Sequence, residues 1–87
     1  MLTDIDKKWT HGECLNFCDE GPVSDGAITH KFSVISRLTG STLGYVKWFI
    51  HWRQYCFFPL NAVFDKKFLR EVAEFCERKT EEHRAKK

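Results

Sequence analysis

Between residues 28 and 58 the chain consists of three short runs with strand character, broken only by turn residues. This arrangement constrains the fold more than any other feature. Ile28 to Leu38 (ITHKFSVISRL) alternates and is rich in β-branched residues, and Thr39-Gly40-Ser41-Thr42 is a turn cluster. Leu43 to Phe49 (LGYVKWF) is the second run, and Arg53 to Phe58 (RQYCFF) is the third, three residues further on and closed by Pro59. Proline has no N–H to give to a ladder, so the third strand ends there. Short connections between consecutive strands predict an antiparallel meander.

Downstream, Asp65 is a suitable N-cap, and Phe64 and Leu69 have the spacing of a hydrophobic staple. The helix is predicted to begin at Lys66. Phe68, Leu69, Val72, Phe75 and Cys76 then recur on one stripe, whereas TEEHRAKK after Lys79 offers only charge, so fraying is expected there. At the other end, Thr3 with Asp6 resembles a capping box and Gly12 limits any helix it starts. Residues 12–26 (GECLNFCDEGPVSDG) mix turn residues with Leu15 and Phe17 and read as an irregular arm. The expected fold is therefore α+β: a three-stranded antiparallel sheet with the C-terminal helix on one face and a short N-terminal helix or arm. Residues 1–26 form the arm, and residues 27–87 form the βββα body of one compact domain.

Charge follows the same division. Residues 1–26 hold two basic and six acidic side chains, and residues 27–87 hold 12 basic and six acidic, so an overall +2 averages an acidic arm and a basic body. No apolar run is long enough for a membrane span. MLTDIDKKWTHGEC carries acidic residues where a secretory signal needs a basic start and an apolar middle, so the expected setting is the cytoplasm. The four cysteines read as reduced thiols or metal ligands rather than a disulfide framework.

Aromatic residues make up 15% of the chain, more than one small core needs. Strand parity divides them. Phe32, Val34, Val46, Trp48, Cys56 and Phe58 form one apolar face expected under the helix. The opposite parity interleaves cations and rings: Lys31, Ser33, Ile35 and Arg37, then Tyr45, Lys47 and Phe49, then Arg53, Tyr55 and Phe57. Such a face suits a partner subunit or another protein, and Tyr45, Lys47, Phe49, Trp52, Arg53, Tyr55 and Phe57 are the candidate interaction surface. It also suits single-stranded nucleic acid, with Lys31, Arg37, Lys47 and Arg53 on phosphates and Tyr45 and Tyr55 stacking on bases. A one-residue slip in any strand would exchange the two faces.

His11, Cys14 and Cys18, with His30 as a fourth ligand, have a spacing open to zinc, although no second knuckle accompanies them because Cys56 and Cys76 fall at core positions. Partly buried thiols are the simpler reading. No cofactor is otherwise implied, and no small-molecule substrate is evident. The chain lacks a nucleophile elbow, a Gly-rich phosphate loop and a His-Glu-x-x-His run, and Glu71, Glu74 and Glu77 read as solvated carboxylates on the helix flanks, so no enzyme activity is expected.

The blocks Leu43-Gly44-Tyr45-Val46-Lys47-Trp48 and Trp52-Arg53-Gln54-Tyr55-Cys56-Phe57-Phe58-Pro59, followed by Val63-Phe64 and Leu69 to Phe75, carry a resemblance. Over residues 30–80 the chain resembles a group of small proteins of bacteriophages, prophages and other mobile elements that share a Leu-Gly-x-x-x-Trp, Trp-Arg-x-Tyr-x-Phe-x-Pro and terminal-helix pattern. The resemblance implies no activity. It implies a small accessory protein in a bacterial cytoplasm, of a kind that often acts by occupying a host protein, defence factors included.

Overall fold

The computed structural model describes residues 8–85. Its sheet has five antiparallel strands in sequential order: β1 (Trp9–His11), β2 (Leu15–Pro22), β3 (His30–Ser36), β4 (Thr42–Phe49) and β5 (Gln54–Pro59), followed by the helix α1 (Lys66–Ala85). The α+β class, the antiparallel sheet and the C-terminal helix are as expected. The strand count is not. Residues 9–22 are two strands of the same sheet rather than an irregular arm, and the Thr3–Asp6 capping box lies outside the described residues. What makes β2 a strand is tertiary: Leu15 and Phe17 are buried in the core, and five of its residues from Leu15 to Asp19 pair in register with β3.

β3 and β4 present the expected faces. Phe32 opposite Val46 and Val34 opposite Gly44 point toward α1. β5 is inverted relative to the sequence reading. The loop from β4 is four residues long, Ile50 to Arg53, because Phe49 pairs with Gln54. The Phe49 carbonyl accepts N–H bonds from Trp52 at 3.2 Å and Arg53 at 2.9 Å, and Arg53 turns the chain with φ 53°. That extra residue shifts parity by one, so Tyr55 and Phe57 face the helix and Cys56 and Phe58 face away. Gly44 has a specific task in this hairpin. A Cβ there would lie 2.6 Å from the Phe57 ring and 2.6 Å from the Phe58 carbonyl, so only glycine lets β5 and its inward ring approach.

The helix starts as expected, with the Asp65 carboxylate accepting the Phe68 N–H at 2.9 Å. Phe64 packs edge-on against Phe57, with centroids 5.4 Å apart, and Leu69 is half exposed. Phe75 is the anchor, stacked on Phe17 at 4.0 Å and edge-on to Phe32 at 5.1 Å.

α1 runs two turns further than charge patterning alone supports, because polar side chains dock it. The buried Thr80 hydroxyl accepts the Tyr55 N–H at 2.9 Å and donates to the Cys76 carbonyl at 2.8 Å, and His83 lies 4.4 Å from the Trp48 ring. Near the helix start, Glu71 is not a solvated carboxylate. It accepts the N–H groups of Cys14 at 2.8 Å and Leu15 at 3.3 Å, and Gly12 leaves room for it. No helix of the described residues is long and apolar enough to cross a membrane.

Candidate functional site: an open sheet face

One helix covers one face of the sheet. On the other face, the pairing aligns Trp9, Cys18, Ser33, Tyr45 and Phe58 in a single row across all five strands. Beside this row stand Lys31 and Lys47 on one side and Ile35 on the other, and Phe49 lies near the β4–β5 loop. None of these rings belongs to the core packed under α1.

The cations of this face lie over its own rings. The Lys31 ammonium lies 4.2 Å from the centre of the Tyr45 ring, and that of Lys47 lies 4.5 Å from the Phe58 ring, each a cation–π pairing. The Ser33 hydroxyl donates to Glu20 at 2.6 Å. Phe49 meets Trp52 at 5.0 Å and Phe58 at 6.0 Å, both edge-on, so the rings continue from the sheet onto the hairpin tip. There Trp52 is 66% exposed and Ile50 69% exposed.

Of the expected interaction surface, Tyr45, Lys47 and Phe49 lie on this face, and Trp52 and Arg53 lie in the adjoining loop. Tyr55 and Phe57 do not belong to it, for the parity reason above, and Phe58 and Cys56 replace them. The expected nucleic-acid set separates further. Lys31, Lys47 and Tyr45 stay together, but Tyr55 is buried under the helix, and Arg37 donates to the Gly12 carbonyl at 2.7 Å over the β1–β2 turn.

The four proposed zinc ligands have different neighbours. His11 contacts Asn16 at 2.8 Å, Cys14 sits beside Glu71, Cys18 faces out from the open side, and the His30 ring N–H donates to Asp19 at 2.8 Å. Among the described residues, no three His, Cys, Asp or Glu side chains gather closely enough to hold a metal ion. All four cysteines are free thiols, and each is pushed above the usual thiol range. For Cys14 the cause is foremost its hydrogen bond to Glu71, and for Cys18, Cys56 and Cys76 it is foremost burial. Raised thiols are poor nucleophiles at neutral pH.

On the helix side, sequence reasoning missed a cleft at the end of the sheet, between the β2–β3 connection and the last turns of α1. Its inner part, about 310 Å³, is lined by Asp19, His30, Tyr55, Lys79 and Glu82. A bulge after Asp19, with Gly21 at φ 92°, lets that carboxylate accept both the Gly21 N–H at 2.8 Å and the His30 ring. The Tyr55 hydroxyl accepts the His30 N–H at 3.4 Å, and burial raises its pKa. Such a lining can hold and orient hydrogen-bonding groups, and it contains no activated nucleophile. Only β5 parity, once known, would have placed Tyr55 here. Asp19 and His30 gave no spacing signal.

Compared with protein-family models, with curated proteins and with solved structures, the chain matches none.

Proposed function

We propose that the protein is a protein-interaction module of the phage-accessory type its motifs resemble, and that its open sheet face binds a second copy of the same chain. The observation that carries this reading is the row Trp9, Cys18, Ser33, Tyr45 and Phe58, which sets three rings outside the helix-side core, with no helix of the described residues over them, on one side of a slab measuring 36 × 35 × 21 Å. A side of that extent exceeds the about 800 Å² per partner that a specific interface uses. Its two lysines already lie over rings of the same face, so it offers ring area together with cations that have partners. This favours a protein over a phosphate backbone, whose affinity would come from unpaired Lys and Arg.

Association through strand edges is the poorer route. β1 has only three residues, and on β5 the outward Tyr55 N–H is taken by Thr80 while Pro59 has none. Size-exclusion chromatography with light scattering tests the reading. The wild type should elute at twice the 10.3 kDa chain mass, and Tyr45→Glu should elute at the chain mass with unchanged far-ultraviolet circular dichroism. A wild-type monomer at high concentration would falsify self-association.

A further inference from the structure

The cleft continues outward into a wider basin of about 690 Å³ at the hairpin tip, sharing Ile28 and His83 with the inner part. Both volumes fall in the range of small-molecule sites. The two parts differ in charge. In the inner part each carboxylate already has a partner: Asp19 has the His30 ring at 2.8 Å, and Glu82 has the Lys79 ammonium at 3.3 Å. Among the described residues, the outer basin is lined by Arg53 and Arg84 with no acidic residue. Among the described residues neither guanidinium has a carboxylate partner. Arg84 donates to the Arg53 backbone carbonyl at 3.3 Å, which ties the last turn of the helix to the hairpin loop that carries the Arg53 side chain. The apolar walls are Trp48, Ile28 and Ile50, with the His83 ring 4.4 Å from that of Trp48.

Arg53 carries a second observation. It is the only non-glycine residue with positive φ among the described residues. At such a position glycine or asparagine is the undemanding choice, and a long branched cation gains nothing for the turn. Its side chain instead lines the basin. Strain retained where a simpler residue would serve marks a side chain kept for what it does.

The geometry points to a binding site for an aromatic phosphate of mononucleotide size, with its ring against Trp48 and its phosphate between Arg53 and Arg84. Two guanidinium groups lining one basin match a phosphate near −2 in charge, and each can bond it with its fork of donors. The nearby helix C-terminus contributes the opposite sign, so the anion depends on these two side chains rather than on the helix. This site is on the helix side and does not rest on the dimer.

Amide and indole chemical shifts followed by NMR at low salt, titrated separately with AMP, adenosine and inorganic phosphate, test it. AMP should shift the Trp48 indole N–H and the Arg53 and His83 amides saturably, and adenosine and phosphate should each bind at least tenfold more weakly. Arg53→Gly should keep or raise the thermal midpoint while weakening AMP at least tenfold, and Arg84→Gln should weaken AMP in the same direction. The proposal is overturned by the absence of saturable AMP shifts at millimolar concentration or by adenosine binding as well as AMP. An Arg53→Gly protein that binds AMP like the wild type, or that melts earlier, overturns it equally.

Discussion

At the scale of single residues, Glu71 shows how one carboxylate fastens two elements. Its two oxygens accept the N–H groups of Cys14 and Leu15 where the chain enters β2, linking the first half of the helix to the β1–β2 turn. Glu71→Ala removes both acceptors and should lower stability by about 1–3 kcal/mol in urea denaturation, the scale of losing partners for part-buried donors. A flank position beside Glu74 and Glu77 gave no hint of this, because a helical wheel does not show where a distant turn will lie. Cys76 makes a different prediction. Burial first, then the neighbouring Cys56 and Glu77, pushes its thiol from 9.0 up to about 12, so the folded state keeps a proton that the unfolded chain releases. The resulting stability is fully present below pH 9 and is lost as pH rises through about 12. Between those limits, Cys76→Ala should lose stability less steeply with pH than the wild type, read from denaturation midpoints at a series of alkaline pH values.

At the scale of elements, the strands and the helix start were legible wherever the pattern is local. β3 and β4 show the expected faces up to the irregularity between Val34 and Ile35, and Asp65 caps α1 as its position suggests. β5 was placed but faced wrongly, since its parity depends on one loop residue, and the φ of Arg53 cannot be read from a stretch without glycine. β2 was missed because Asp19, Glu20, Gly21 and Pro22 look like a turn, and the bulge they form keeps the strand paired to β3. The last turns of α1 were missed because Thr80 and His83 have no apolar signature and act through β5 and β4. Thr80→Val keeps the shape but leaves the Tyr55 N–H unpaired, and should cost about 1–3 kcal/mol, whereas Thr80→Ser should restore most of it. Chemical denaturation of the three proteins would show whether the hydroxyl, rather than the side-chain volume, is what counts.

At the scale of the whole molecule, the two sides of the sheet have different tasks. The helix side holds the core and ends in the cleft, and the open side holds a second set of rings with no helix of the described residues over it. The sequence showed that there were more rings than one core needs and that cations accompany them, and both remain true of the open face. The charge asymmetry changed its meaning. The acidic stretch after Cys18 is part of the sheet itself, with Asp19 turned to the cleft and Glu20 to the open face, so the fold distributes that charge to both sides. If the face is a dimer contact, the thermal midpoint should rise with protein concentration in the wild type and stay level in Tyr45→Glu.

The Thr80 hydroxyl also bears on the order in which the chain acquires its shape. A helix whose final turns are secured by a strand amide 25 residues earlier cannot complete itself locally. The excised segment 66–85 in water would therefore hold less helix than it does in the protein, most of the deficit falling after Cys76. The Tyr55 amide, in turn, becomes a timer: its protection from solvent exchange marks the moment at which the last secondary element closes over the sheet.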